Sequence, residues 1–482
     1  MEFYGFDISL EMLFAIVSSI AATIVALWKL HGMRYNDRIF KFKSTYNLIS
    51  KNRFIYSEVM IKAMGAFKRN EVPHNFGADY FNGWMDKSKY LICRNEWIFF
   101  SNAKEVKLIP RDKPRWRKNS FLEIMQLPDR RKNYVQNVRK HIQKLVFNEG
   151  VICFLKLDKD RQIEVYNSKY YEYQNMIAFQ EFIKVKSIDE CFDRNGDDDS
   201  KVTQRVRKLV SDSEPFDMNN RPVVIGACSL CFIKDVPIKD GENTVYKTFM
   251  LAHHRGGDVN DARNTISMTP AGALTWTTAK GSNEDHWSYY YTVLREFEEE
   301  VLGFRDVEYV EDYDPISSLE DEEMARVYYM GMGLDPLNMK MESIAVMMVE
   351  AGIGWREIKD AIKKRNNAIQ FEDQESDGIS LADLSTIVKQ NKSEGEIILV
   401  SSDSDTLLRL MYNKKSMPVF REALFQLLSN EEQGFEAARK ELGLVRKDLK
   451  PSSCPERSGR AISIRRRRPS GRASAKAFIP RP

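Results

Sequence analysis

Residues 12–28 run for seventeen positions without a charged side chain. A helix there would reach about 26 Å at about 1.5 Å per residue, against the roughly 30 Å hydrocarbon core of a bilayer. With Leu10 and Leu30 added and Lys29 reaching outward, the stretch predicts a short single-pass transmembrane helix over residues 12–30. A secretory signal would carry positive charge ahead of its apolar run, whereas here Glu2, Asp7 and Glu11 precede it. Lys29, Arg34, Arg38, Lys41, Lys43, Lys51 and Arg53 follow, opposed only by Asp37. That bias predicts a chain tethered in a cell membrane, residues 1–11 outside and the body in the cytoplasm.

The chain has 482 residues, 43% of them hydrophobic, enough for two or three domains. Its six cysteines show no disulfide-framework spacing, which fits a reducing compartment. Cys228 and Cys231 form a CxxC inside an apolar, strand-like run with no second metal-ligand pair, so they read as packed thiols. The net charge of +4 is uneven: residues 446–482 alone carry +10, leaving −6 for the rest. That tail is rich in Pro, Ser and Gly, contains Arg465 to Arg468, and reads as a disordered basic segment. Plain solvated charge is the leading bland reading; attraction to anionic lipid headgroups would suit a tethered chain, and nucleic acid is the rival partner and the less favoured one.

Along the chain, residues 31–74 have helix-like spacing and suit a juxtamembrane stalk. Residues 75–215 mix strand-like and helical runs in an uncharacterised α+β region. Within it, residues 193–200 resemble a calcium loop, but Asp198 stands where a glycine is needed and Gln204 where a bidentate glutamate is, so an acidic surface loop is expected. From residue 221 strands follow one another at 223–233, 244–253 and 265–268, then a turn at Pro270, Ala271, Gly272 and Ala273. A helix is predicted from 285 or 288 to 302, with Tyr290, Leu294, Phe297 and Val301 at helical intervals and Gly303 beyond its end. Further strands are expected at 326–330 and 344–349, and residues 356–445 read as a helical extension.

The chemistry concentrates on that helix. Glu296, Glu299 and Glu300 stand at i, i+3 and i+4, so their carboxylates share a face and offer hard oxygen ligands for Mg²⁺ or Mn²⁺. Arg295 precedes Glu299 by four residues and is placed to orient it. Without a cation the three acids repel one another. An isolated glutamate run is ordinarily a solvated helix face. His253 and His254 are adjacent on a strand and face opposite sides, so only one could serve a site, and a structural role is expected for either.

Arg295, Glu296, Phe297, Glu299 and Glu300 match the helical half of the box of the Nudix hydrolase family, which this region resembles over residues 221–350. Two registers are open. Gly281 lies fourteen residues before Arg295, as the box asks, but then Trp287 replaces its first glutamate and Gly303 comes one residue late. In the preferred register Gly272 is the box glycine, with an insertion before Glu284 or Asp285. The resemblance implies a mixed-sheet α/β/α sandwich over residues 221–355. It also implies Glu296, Glu299 and Glu300 as metal ligands, Glu299 or Glu300 as base, Arg255 as a phosphate contact and Gly272 at the substrate.

The whole arrangement, an apolar N-terminal segment before a divergent Nudix-like domain, also resembles the membrane Nudix effectors of the CBASS antiphage systems. That resemblance implies a sensor for a cyclic oligonucleotide messenger that causes cell death at the membrane, self-association included. The rival class is a Mg²⁺-dependent hydrolase of a nucleoside diphosphate-linked substrate. The fold class expected is therefore α+β: one transmembrane helix, the α+β region, the Nudix-like sandwich, a helical extension and the basic tail.

Overall fold

In the computed structural model the described residues are 2–3, 6–7, 18–29, 32, 56, 92–93, 101–113, 150–157, 162–169, 223–240, 242–255, 265–275, 287–302, 325–335, 337, 340–365, 396–413, 415–447 and 449. The expected transmembrane helix is not among them. Near the N-terminus the described residues 18–29 are helical. No helix among the described residues is long and apolar enough to cross a membrane. The single-pass inner-membrane location expected from this segment is corrected accordingly, and with it the transmembrane part of the fold class. Residues 12–17, the stalk apart from residues 32 and 56, the calcium-like loop and nearly all of the basic tail lie outside the described residues.

Fifteen strands are described in chain order: β1 (Glu2–Phe3), β2 (Phe6–Asp7), β3 (Ile92–Cys93), β4 (Ser101–Asn102), β5 (Lys107–Pro110), β6 (Gly150–Leu157), β7 (Gln162–Lys169), β8 (Ile225–Asp240), β9 (Asn243–His254), β10 (Ile266–Met268), β11 (Ala271–Ala273), β12 (Trp287–Ser288), β13 (Ala325–Leu334), β14 (Met341–Glu350) and β15 (Glu396–Ser401). The helices that pack on them are α1 (Tyr289–Phe297), α2 (Ala351–Arg365), α3 (Ser404–Tyr412), α4 (Pro418–Ser429) and α5 (Gln433–Glu441).

The largest sheet is mixed. Its path runs β10-β9-β8-β14-β13-β3, with β11 also on β8, β15 on β9 and β4 on β13. β8 and β14 are parallel in register from Ile225 with Met341 to Lys234 with Glu350, while the other pairs are antiparallel. β8 from Ile225 to Ile233 and β14 from Met341 to Val349 are buried, which explains why they read as unbroken apolar runs.

Alternation sorts their side chains onto two faces. Ile225, Ala227, Cys231 and Ile233 join a core with Tyr289, Val293 and Phe297 of α1 and Trp355 and Ile358 of α2. Cys228, Leu230 and Phe232 join the other, with Leu407, Phe420, Leu424 and Phe435 of α3 to α5. The result is helix, sheet, helix in three layers.

A second sheet, β12-β5-β7-β6, adjoins the first. Ile152 N–H donates to the Leu274 carbonyl at 2.9 Å and Phe154 N–H to that of Val223 at 2.8 Å. Leu108, Ile152, Phe154 and Val165 share the core under α1. The described part of residues 75–215 is thus built into the same body as the later strands. β15 differs from expectation too: it is a strand inside the stretch read as a helical extension, and it widens the sheet by pairing with β9 from Glu396 opposite His254 to Ser401 opposite Phe249.

Candidate functional site

α1 begins where Ser288 caps it, its hydroxyl accepting from Tyr290 N–H at 3.2 Å. Tyr290, Leu294, Phe297 and Val301, the stripe that the spacing predicted, are buried against the sheet, and Val293 joins them. The Tyr289 hydroxyl donates to the carbonyls of Ser343 at 3.0 Å and Cys228 at 3.3 Å, fixing the start of the helix over β14 and β8. Residues Glu298–Leu302 continue it as a π turn.

The π turn carries the acids to the β10–β11 corner. Glu300 accepts from Thr269 Oγ1 and from Ala271 N–H, both at 2.9 Å. Glu296 lies directly over Gly272, so closely that a Cβ there would overlap its carboxylate. A larger residue here would force the Glu296 carboxylate to move. Glu299 stays exposed. Glu298, which helical spacing turned away from the other three, is the most enclosed of the run at 1% exposure.

Burial, then the negative charges of Glu300 and Glu299, hold the Glu296 carboxyl well above the ordinary glutamate range, with Lys340 and Arg295 pulling the other way.

A second charged group lies at the start of β14. The Lys340 ammonium is 3.0 Å from a Glu342 carboxylate oxygen, and the Cys228 thiol donates to the other at 3.4 Å. Burial raises the Glu342 carboxyl, and Lys340 opposes it. Burial, then the Glu342 charge, pushes the Cys228 thiol well up, so it is no thiolate nucleophile. Cys231 is three residues on, on the opposite face, and burial raises it as well.

The structure brings together Gly272, Glu296 and Glu300, with Glu299 on the same helix end. Arg255 closes the β9–β10 pair, its N–H donating to the Thr265 carbonyl at 2.8 Å. His253 and His254 are both buried, on opposite faces of β9. Gly281, Glu284 and Asp285 lie outside the described residues, so the first half of the box is not placed.

Lys340, Glu342 and Gly226 were missed by sequence reasoning. The available signal was Glu342 itself, a lone acid in the apolar run from Met341 to Val349.

Among the described residues no three His, Cys, Asp or Glu side chains converge to hold a metal ion by themselves. Mg²⁺ ordinarily keeps several waters and is held by one or two carboxylates together with ligand phosphates. The enclosed, mutually repelling Glu296 and Glu300 fit that partial role, and a divalent ion there would relieve their repulsion. No protein-family model matches the chain, and no curated protein matches it.

Proposed function

We propose that this chain binds a nucleotide at the corner where α1 meets β11, as the sensing part of an effector answering a cyclic oligonucleotide messenger of the CBASS kind. The observation that carries the reading is the seating of Glu296 on Gly272 with Glu300 pinned beside it. Helix and turn present acid groups whose repulsion calls for a cation, and a cation so held attracts phosphate. When bound, the divalent ion supplies positive charge that offsets the phosphates against the glutamates. Glu296 and Glu300 would hold it, with Glu299 reaching in from the exposed side.

Binding is preferred to turnover because the acids form no closed ligand set, and because Glu300 already spends an oxygen on Thr269 and Ala271. The second reading, a Mg²⁺-dependent hydrolase of nucleoside diphosphate-linked compounds, is favoured by the exposed Glu299, which stands one residue from Glu300 and three from Glu296 as a base beside the pair that would hold the ion.

Thermal unfolding of the full chain with cyclic dinucleotides, cyclic trinucleotides and dinucleotide cofactors, with and without Mg²⁺, tests both. A cyclic oligonucleotide that raises Tm only with Mg²⁺, and emerges intact, is the expected result. Cleavage of a dinucleotide cofactor by the parent and not by Glu296→Gln would establish the hydrolase instead. No shift with any nucleotide removes the sensor reading.

A further inference from the structure

We propose that the seam between α1 and the sheet is a bound-water site, built by the buried hydroxyls of Ser229, Thr292 and Ser343. The inference stands apart from the nucleotide reading and holds whatever the corner takes.

Ser229 lies on β8 between Ala227 and Cys231, and Ser343 on β14 between Met341 and Ala345, two residues from each. Those neighbours all pack in the core beneath α1, so alternation turns both serines to the helix. In the parallel register Ser343 is opposite Ala227 and Ala345 opposite Ser229. The four make a floor with serines on one diagonal and alanines on the other.

α1 crosses this floor. The Tyr289 hydroxyl donates to the carbonyls of Ser343 and Cys228, which puts the end of its ring there. Thr292 follows Tyr289 by three residues and precedes Glu296, seated over Gly272, by four. It therefore lies on the same side of the helix, between two groups that reach the sheet.

Ser229, Thr292 and Ser343 are each 0% exposed, and among the described residues no group bonds to their hydroxyl oxygens. A helical threonine either faces solvent or returns its hydroxyl to the carbonyl four residues back. Thr292 does neither.

Tyr289 accounts for the small side chains of the floor, since a phenol ring needs room. It does not account for their oxygens. Alanine at 227 and 345 gives the same room, whereas burying a hydroxyl with nothing to bond is destabilising. Water is the partner that fits. Each hydroxyl can donate and accept, and the Tyr289 oxygen, which donates to the carbonyls, keeps lone pairs to accept with. A buried water typically makes about three hydrogen bonds, which hydroxyls from two strands and a helix can supply. The helix that carries the acids is thus seated in two ways: Val293, Leu294 and Phe297 hold it by apolar contact, and along the Thr292 side it rests on solvent.

The test is a crystal structure of the full chain at a resolution that shows ordered solvent, together with thermal unfolding of full-length Thr292→Val, Ser229→Ala and Ser343→Ala. Solvent density within about 3 Å of at least two of the three oxygens is expected. Thr292→Val keeps the side chain's shape and much the same helix propensity, so it reads the hydroxyl alone. It should lower Tm, because a bound water loses a partner, and both serine variants should do the same. A dry seam behaves oppositely: removing an unbonded buried hydroxyl leaves Tm unchanged or raises it. Oxygens that meet only carbon or only protein groups, or any of the three variants melting at or above the parent, overturn the proposal. The melting comparison decides by itself if the chain gives no crystals, and a variant that does not fold leaves the other two to decide.

Discussion

At the scale of single residues, Gly272 and Glu296 are the pair on which the corner turns. Gly272→Ala displaces the Glu296 carboxylate, the end of a flexible side chain, so its cost falls at the lower end of the about 1–3 kcal/mol of overpacking. Denaturant unfolding should show a loss of that size, and pairing the change with Glu296→Ala should recover most of it. A loss left unrecovered in the double variant would mean the glycine serves the backbone and not the carboxylate. Glu296→Gln has a pH signature. The carboxyl is raised in the folded protein, so folding favours its protonated form and the Glu296 contribution to stability falls as pH rises from the unfolded glutamate value toward the folded one. Without divalent ions the glutamine variant should therefore melt higher than the parent at neutral pH, and the two should converge in acid. A neutral-pH melt below the parent's would show that the charged carboxylate is better compensated than its neighbours indicate.

Among the elements, α3 shows how a terminus is held by one side chain. Asp403 accepts from Asp405 N–H at 3.1 Å, Thr406 N–H at 2.8 Å and the Ser401 hydroxyl at 2.8 Å. Despite the burial that opposes them, these bonds hold its carboxyl below the ordinary range. The stability it adds is present above the unfolded aspartate value and disappears as pH falls through the folded one. Asp403→Ala should cost about 1 kcal/mol at neutral pH by denaturant unfolding, with the difference from the parent closing in acid. A gap unchanged by pH would refute the charged cap.

Legibility of the elements followed period. α1 was visible because Tyr290, Leu294, Phe297 and Val301 repeat with the helix, and β9 because its residues fit a strand between turns. β15 was hidden: Ile397, Ile398, Leu399 and Val400 are all buried, two on each face, so the run lacks alternation. The N-terminal segment misled for a related reason, since an uncharged run measures hydropathy and leaves helix length open. The candidate site was legible only on its helical side. Glu296 and Glu300 follow from i, i+4 spacing, whereas Glu342 comes to Gly226, with Lys340 bonded to it, through strand pairing, which no local pattern records.

Over the whole molecule, the sheet needs a cover on each face, and α3 to α5 supply the one opposite α1. Two kinds of contact bind α5 there. Glu441, at its end, reaches Lys234 at 3.3 Å and also pairs with Arg326, while both cations share Glu350 at 2.8 and 2.9 Å. This four-member network ties the middle of β8 and the ends of β13 and β14 to the helix. Beyond Glu441 the chain turns at Gly443, whose φ of +65° suits a glycine ending a helix. The other contact is Phe435, fully buried with Phe420, Leu424 and Leu428 of α4.

Magnitude separates the two. The ion pairs are partly solvated, Arg326 being 37% exposed at its side chain, and such pairs contribute about 0–1 kcal/mol. Truncating a buried Phe costs about 3–5 kcal/mol. Phe435→Ala should therefore shift the unfolding midpoint several times further than Glu441→Ala. The loss from Glu441→Ala should shrink in 1 M salt, about the concentration at which screening acts within 3 Å, while that from Phe435→Ala should persist. Equal losses from the two would mean that the charge network, and not the apolar face, fastens the final helix to the sheet.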